Sequence, residues 1–200
     1  MPSPVVYLAS SSPRRQMLLT QAGIKIKVIS PEVDERVIRG ESAREMVLRL
    51  SVEKAEVALK RIKKRPAIII AADTCVVAPG RGKVLGKPTH RPDAEKMLKT
   101  IQGREHTVLT GYCLLLVEKG ESIREIARVV QSKVQMRKMS QDEIRWYVRT
   151  GEPMDKAGSY AAQGIGMAFI QSFKGSYSNV VGLPLCEVMQ DLRDLGIRWS

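Results

Sequence analysis

The stretch A-I-I-I-A-A, from Ala67 to Ala72, has the composition of a buried strand. Six apolar residues lead to Asp73 and Thr74, and the apolar character resumes at Cys75. Such a short, β-branched run is typical of a strand in a protein core. We therefore expect the strand to end at Asp73, at the sheet edge where α/β proteins usually carry their sites.

A second strand and a helix begin the chain. Val5 to Ala9 is a short apolar strand pattern. Ser12 then offers an N-cap and Pro13 a first-turn proline, which predicts a helix that runs to about Gly23.

Ser42 and Glu45 form a capping-box pattern at the start of a longer helix that reaches roughly Ile62. At about 100° per residue, Lys54 falls near the centre of the apolar stripe of this helix. Two readings of Lys54 stay open. In the first, the aliphatic stem of Lys54 packs with the apolar stripe while its ammonium extends to the solvent-exposed edge of that stripe. In the second, the ammonium faces an anion in a cleft.

Strand patterns dominate the second half of the chain. The main candidates are His106 to Val117, Arg128 to Met136 and Met167 to Phe173. Strands and helices alternate before them, which favours an α/β protein with a mixed central sheet over a purely parallel one. We expect one domain over residues 1–200, with two lobes.

Composition favours a cytoplasmic protein. Of the 200 residues, 44% are hydrophobic, yet the longest apolar runs fall far short of a membrane span of roughly 20 residues. Cys75, Cys113 and Cys186 are widely separated in apolar surroundings, which predicts buried, reduced thiols rather than disulfides.

The formal net charge of +12 indicates an anionic partner, such as a nucleotide, a nucleic acid or an acidic surface. Only 4% of the residues are aromatic, so the stacking platforms of single-stranded nucleic-acid binders are scarce. Nucleic acid is therefore the less favoured partner.

Asp73 is the most informative carboxylate, and three roles are open to it: a structural cap, a metal ligand or a general base. The stretch from Ser10 to Arg15 also lies where a strand gives way to a helix, a position that favours an anion. Arg14 and Arg15 could recognise phosphate oxygens there, although a capped helix start with solvated arginines has the same sequence.

Lys54 and Lys87 add cations for phosphate, and Glu35 adds a second carboxylate for a divalent ion. A nucleoside triphosphate bound as its magnesium complex would use all of these groups. The chain has no P-loop motif, no dinucleotide-binding glycine motif and no G-x-S-x-G motif. His90 and His106 lie among polar residues, where we expect surface or supporting roles.

Ordered blocks along almost the whole chain resemble the Maf family of nucleoside triphosphate pyrophosphatases. These blocks are Ser10-Ser11-Ser12-Pro13-Arg14-Arg15, Glu53-Lys54-Ala55, Ala72-Asp73-Thr74, Leu85-Gly86-Lys87-Pro88, Gly151 to Gly158, Gln163-Gly164 and Gly175 to Pro184.

This resemblance implies an elongated two-lobed fold with a deep cleft, similar to the inosine triphosphate pyrophosphatase fold, and commonly a homodimer. It implies hydrolysis of a nucleoside triphosphate between the α and β phosphates, with a divalent cation such as Mg²⁺ or Mn²⁺. The matching proton acceptor is Asp73, and Glu35 matches the acidic loop that shares the metal. The residues that match the phosphate site are Ser10, Arg14, Arg15, Lys54 and Lys87.

Three positions are thought to set base preference in this family, and here they are Arg14, Thr74 and Gln163. The combination resembles the dTTP/UTP group rather than the 7-methyl-GTP group. The Gln163 amide can both donate to and accept from the imide edge of a pyrimidine. Ala161 and Ala162 depart from the Gly-Ile that relatives often carry, which predicts an altered fit.

Two rival functions stay open. One is a pyrophosphatase for modified or non-standard nucleotides. The other is a basic nucleic-acid-binding or cell-division regulatory protein, which would bind duplex DNA with a steep salt dependence and hydrolyse no nucleotide.

Overall fold

A computed structural model describes residues 4–63, 65–80, 82–118 and 122–197 of the chain. Within these ranges the strands are β1 (Val5–Ala9), β2 (Ile26–Ile29), β3 (Ala67–Val77), β4 (Val84–Leu85), β5 (Glu105–Val117), β6 (Ile123–Met136) and β7 (Ile170–Lys174). The α-helices are α1 (Pro13–Gln21), α2 (Ala43–Leu59), α3 (Arg91–Ile101), α4 (Gln141–Arg149), α5 (Tyr177–Val181) and α6 (Leu185–Asp194). Short 3-10 helices occupy Glu152–Asp155, Ala157–Ser159 and Gly164–Phe169.

The strands of the described residues form a seven-stranded mixed sheet. Their order is β2-β1-β3-β5-β6-β7, and β4 pairs with β3. Strand β1 is parallel to both β2 and β3, whereas the β3–β4 and β6–β7 pairs are antiparallel. The predicted α/β class with a mixed central sheet is therefore confirmed.

The chain divides into two compact units. The first unit contains the described residues up to Asp73, those of Thr110–Val130 and those from Gly182 onward. The second unit contains Thr74–Leu109 and Gln131–Val181, without the undescribed residue 81. Strands β3, β5 and β6 each contribute residues to both units. The assignment of residues 1–200 to one domain and the cleft between lobes stay predictions.

The core of the first unit forms where α2 packs on the sheet. In β1 and β3 the neighbouring pairs Tyr7–Ile69 and Ala9–Ala71 are in register. The cluster joins these strands to Ala55 and Ala58 of α2, all of them buried. Small alanine side chains on α2 leave little distance between the helix and the strands, so polar groups further along the same faces can meet.

Gly111 of β5 allows a second close approach to α2. A Cβ atom on this residue would lie 2.2 Å from the Val47 carbonyl oxygen and 2.4 Å from its carbonyl carbon. Both partner atoms belong to the helix backbone and cannot rotate away. Only glycine fits between β5 and α2 at this point.

The second unit has its own core of helices α3 and α4 packed on strands. Its largest fully buried members are Leu98, Ile101, Tyr147 and Phe169. Helix α4 begins with the reciprocal capping box that the sequence pattern predicts, in which the Ser140 hydroxyl accepts from the backbone N–H of Glu143.

Three strand predictions were wrong in extent. Strand β6 begins at Ile123 and not at Arg128, which the sequence pattern did not predict because the first residues of the strand are exposed and show no apolar alternation. Strand β3 continues through Asp73 to Val77, because its last residues pair with β4 at Val76–Leu85 and Val77–Val84. The strand predicted from Met167 to Phe173 begins only at Ile170, since the 3-10 helix before it continues to Phe169.

The expectation that His106 lies at the surface was wrong, whereas the alternative of a supporting role stays a prediction. The residue is buried on β5, and its Nε2 lies 2.8 Å from the Tyr160 hydroxyl oxygen. Its side chain faces the same side of β5 as buried Val108, so the alternation of the strand directs it inward despite its polar neighbours in sequence.

The cysteine prediction holds in part. All three thiols are free, and Cys75 and Cys113 are buried as expected. Cys186, however, is exposed at the start of α6. Burial raises the pKa of the Cys113 thiol to about 12, which suits an inert core residue.

Among the described residues, no helix combines the length and the hydropathy that a membrane span requires.

We expect Gly111→Ala to destabilise the protein by about 1–3 kcal/mol or more, because the added methyl group collides with the α2 backbone. Urea unfolding measures this change. Gly86→Ala is the matched control, since nothing lies within 4 Å of a Cβ atom there and its φ is ordinary. Equal unfolding midpoints for the two variants would contradict the close approach.

We expect His106 to lower the stability of the protein between pH 6.5 and about 4. Burial lowers the pKa of His106 from 6.5 to about 4, so in this window the unfolded imidazole binds a proton that the folded one does not. The unfolding free energy should therefore fall as the pH falls, by at most about 1.4 kcal/mol per pH unit from this group.

Chemical denaturation of the wild type and of His106→Gln at several pH values measures this contribution. The stability difference between the two proteins should change in favour of the variant as the pH falls from 6.5 to 4. A constant difference over that range would show that His106 does not titrate as described.

Candidate functional site

Lys54 brings the two predicted carboxylates of the first unit together. On β3, Asp73 follows Ala71 on the face that packs against α2, and the Lys54 side chain extends along the same interface. The Lys54 Nζ atom lies 2.7 Å from Asp73 Oδ1 and 2.6 Å from Glu35 Oε1. The ammonium is therefore paired with two carboxylates of the protein, and its role in binding a substrate anion stays a prediction.

Lys54 and Asp73 are more buried than the partners of a surface ion pair, which is expected of a functional site. The Lys54 side chain is 9% exposed and that of Asp73 is 14% exposed, whereas Glu35 is 58% exposed. A partly buried ammonium needs close anionic partners, because burial of an unpaired charge is costly. Glu35 offers the solvent-facing side of this arrangement.

Asp73 does not lie at the end of a strand as predicted. Strand β3 continues for four residues beyond it, so the backbone of Asp73 is part of the sheet and only its side chain is offered to the site. This rules out the structural role of a helix or turn cap. The metal-ligand and general-base roles remain.

Arg15 is the second buried cation of the first unit. Its Nε donates to the Gly182 carbonyl oxygen at 2.7 Å, and its Nη1 donates to Ser10 Oγ at 3.1 Å. Burial lowers the pKa of Arg15, and neighbouring Arg14 lowers it further, whereas the charges of Asp73 and Glu35 raise it. Arg14, Arg15, Asp73 and Glu35, with Ser10 as a neutral partner of Arg15, thus form one electrostatic neighbourhood.

The start of α1 differs from the predicted cap in one respect. Ser12 has the extended backbone of an N-cap and Pro13 follows it, but the Ser12 side chain makes no capping hydrogen bond. The positive end of the helix dipole is therefore not satisfied by that hydroxyl, and Arg14 and Arg15 follow directly in the first turn.

Arg49 anchors the loop that carries Glu35. Its guanidinium donates to both carboxylate oxygens of Glu41, at 2.6 and 2.8 Å, and to the Arg36 carbonyl oxygen at 3.3 Å. It also bonds Glu53, one turn further along α2. Hydrogen bonding by Arg49 holds the pKa of the Glu41 carboxyl below its usual value. Arg49 could not be identified from the sequence, because only its spacing to Glu53 is helical and that spacing is common on surfaces.

The remaining predicted residues belong to the second unit. Thr74 is half-buried in β3, and Gln163 is half-buried directly before the 3-10 helix Gly164–Phe169. Lys87 is exposed beside Gly86, whose carbonyl oxygen accepts from the backbone N–H of Gly158 at 3.0 Å.

The carboxylates of the first unit fit a divalent cation that also binds substrate. Among the described residues, no group of three His, Cys, Asp or Glu side chains could hold a metal by itself. Asp73 and Glu35 nevertheless converge on one point, which the Lys54 ammonium occupies. Mg²⁺ is often held by one or two carboxylates, with phosphates and water as its other ligands. Asp73 and Glu35 could supply these one or two carboxylate ligands.

A profile of the family described as Maf-like protein matches residues 5–195. The chain belongs to the Maf family. The dTTP/UTP pyrophosphatase of Syntrophus aciditrophicus (strain SB) is 47% identical over 191 residues, which cover 96% of this chain and 90% of that protein. The dTTP/UTP pyrophosphatase of Anaeromyxobacter dehalogenans (strain 2CP-C) is 45% identical over 194 residues, covering 97% and 95% of the two chains.

A solved structure of a HAM1 protein from Coxiella burnetii is also similar. It shares 16% sequence identity, with 96% of this chain and 99% of that chain covered and a TM-score of 0.47.

The structure gives a physical reason for one Maf-family block that sequence analysis left without a role. Gly182, in the block from Gly175 to Pro184, supplies the carbonyl oxygen that fixes the Arg15 guanidinium. A backbone carbonyl leaves no recognisable residue type in a sequence, so this contact could not be predicted.

We expect Glu41→Gln to loosen the loop that carries Glu35. The variant loses the charge of a carboxylate that binds Arg49 through both oxygens. Trypsin should then cleave after Arg36 or Arg39 up to about tenfold faster, since local opening costs less free energy.

The control for this experiment is Glu53→Gln, which removes a partner of Arg49 and leaves both anchors of the loop in place. Unchanged cleavage in Glu41→Gln, or equal acceleration in both variants, would contradict the anchoring role of Arg49.

Proposed function

We propose that this protein hydrolyses dTTP and UTP between the α and β phosphates, giving a nucleoside monophosphate and diphosphate. The observation that carries the proposal is the convergence of Asp73 and Glu35 on Lys54, with buried Arg15 in the same electrostatic neighbourhood. The names of the curated relatives, dTTP/UTP pyrophosphatase, support the substrate class.

The cations of the first unit are suited to phosphate oxygens. Arg15 is held rigidly by Ser10 and by the Gly182 carbonyl, so its remaining donors have a fixed direction. Burial disfavours its charged form, and an arriving phosphate would compensate for that cost. In the proposal Arg14, Arg15, Lys54 and Lys87 neutralise the charge that develops on the leaving diphosphate.

Asp73 is the proposed proton acceptor. A water molecule attacks the α phosphorus, the bond from that phosphorus to the bridging oxygen breaks, and diphosphate leaves. The proton of the water passes to an Asp73 carboxylate oxygen and then to solvent. Lys54 orients this carboxylate through its bond to Oδ1.

Asp73 and Glu35 are the residues that would hold a divalent cation. When bound, Mg²⁺ or Mn²⁺ would neutralise phosphate charge and orient the phosphate chain.

Base preference is assigned to Arg14, Thr74 and Gln163, the three positions at which the chain resembles the dTTP/UTP group. Thr74 offers a hydroxyl and Gln163 an amide, so both can hydrogen-bond a polar base edge. The homodimer and the cytoplasmic location stay predictions.

The test of this function is a diphosphate-release assay with Mg²⁺ and a panel of dTTP, UTP, CTP, ATP, GTP and 7-methyl-GTP, with the nucleotide product identified. We expect monophosphate and diphosphate from dTTP and UTP, and no release when EDTA replaces the metal. Asp73→Asn should lower the rate by about a hundredfold or more.

Asp142→Asn is the matched control, because that carboxylate is almost fully exposed on α4. An Asp73→Asn protein that folds normally and hydrolyses dTTP at the wild-type rate would overturn the assignment of Asp73. Preference for a modified nucleotide would support the rival pyrophosphatase, and salt-sensitive DNA binding without hydrolysis would support the nucleic-acid-binding function.

A further inference from the structure

Glu152 holds the backbone that follows Gln163. Its Oε1 accepts from the backbone N–H of Ile165 at 2.9 Å, and its Oε2 accepts from the backbone N–H of Gly166 at 2.9 Å. The same Oε2 accepts from the Tyr147 hydroxyl at 2.7 Å. Three donors thus converge on one carboxylate, and two of them come from the segment that begins just after Gln163.

Two tyrosines hold the backbone that precedes Gln163. The Tyr147 hydroxyl oxygen accepts from the backbone N–H of Ala161 at 3.0 Å. The Tyr177 hydroxyl donates to the Ala162 carbonyl oxygen at 2.9 Å. Gln163 therefore lies in a segment that side chains from elsewhere in the second unit fix on both sides.

The two glycines of this segment are required by the same contacts. A Cβ atom on Gly164 would lie 2.2 Å from Glu152 Oε1, and its φ of +74° already favours glycine. A Cβ atom on Gly166 would lie 2.3 Å from the Ala161 carbonyl oxygen and 2.6 Å from the Tyr147 hydroxyl oxygen. The backbone is thus drawn against Glu152 and Tyr147 more closely than any side chain would allow.

A glutamine amide alone distinguishes pyrimidines poorly. Its oxygen can accept from the N3–H of uracil while its amino group donates to O4, and after the amide turns by about 180° the same groups can pair with the amino group and N3 of cytosine. A backbone that can shift lets the turned amide reposition itself for cytosine, whereas a fixed backbone keeps the amide at the distance and angle that suit uracil, so that cytosine meets poorly placed polar groups. Discrimination therefore depends on how firmly the segment is held.

We propose that Glu152, together with Tyr147, is a positioning residue for base selection, fixing the Gln163 segment so that uracil and thymine are preferred over cytosine. This inference rests on the proposed function, in which Gln163 contacts the base.

The test compares kcat/KM for UTP with kcat/KM for CTP in Glu152→Gln. The substituted amide has one acceptor oxygen in place of two, so it cannot accept from all three donors. We expect the ratio of UTP to CTP to fall by about tenfold. The ratio is independent of the fraction of active enzyme, so partial misfolding does not imitate this result.

Tyr147→Phe is a second variant that keeps the buried ring and removes only the hydroxyl that joins Glu152 to Ala161. Tyr147→Phe should also lower the ratio of kcat/KM for UTP to kcat/KM for CTP. Glu143→Gln is the matched control, because Glu143 also binds donors with both oxygens in the second unit but caps α4 instead. It should leave the ratio at the wild-type value.

Gln163→Ala separates failure of this inference from failure of the proposed function. If it lowers the ratio while Glu152→Gln and Tyr147→Phe do not, the positioning role is overturned and the proposed base contact stands. If Gln163→Ala leaves the ratio unchanged, the proposed base contact fails and the inference fails with it. An equal fall in Glu143→Gln would also overturn the inference, since the effect would then be one of general destabilisation.

Discussion

The ammonium of Lys54 is the charge on which the arrangement of the first unit depends. It is largely withdrawn from water, so it must be paired, and its two partners come from β3 and from the loop after β2. That pairing is possible only because α2 lies close to the sheet. Alanines at the helix–strand contact and a glycine in β5 permit the approach. Packing and electrostatics are thus coupled: the small core residues determine the distance at which the charged residues meet.

The charged groups of the first unit are fixed before any substrate arrives. Arg15 is held by a hydroxyl and a carbonyl, Lys54 by two carboxylates, and the loop of Glu35 by Arg49. Reorientation of dipoles and charges is a large part of the barrier to reactions in water, and fixed groups avoid it. The cost is a concentration of partly buried charge that contributes little to folding by itself.

The sequence predicted residue types and elements better than it predicted contacts. The capping boxes of α2 and α4, the mixed sheet and the inward direction of Lys54 follow from local patterns, and the structure agrees with them. The extent of β3 could not be predicted, because the strand pairs with β4 after a turn and so depends on a distant partner. Arg49 and Gly182 were missed for the same reason. One acts through a glutamate eight residues away and the other through a backbone oxygen.

The division of strand β3 between the units has a further consequence. Asp73 is the last residue of the first unit's N-terminal segment, and Thr74 is the first residue of the second unit. With the roles proposed above, the groups that perform the hydrolysis lie in the first unit, except for Lys87. Two of the three groups proposed to select the base, Thr74 and Gln163, lie in the second unit, and the contacts of Glu152 and Tyr147 that hold the Gln163 segment belong to the same unit. Mutations around Gln163 that alter nucleotide preference can therefore accumulate without altering the unit that carries the proposed catalytic carboxylate, Asp73. Such a division allows related enzymes to acquire new nucleotide substrates during evolution while the hydrolytic reaction stays the same.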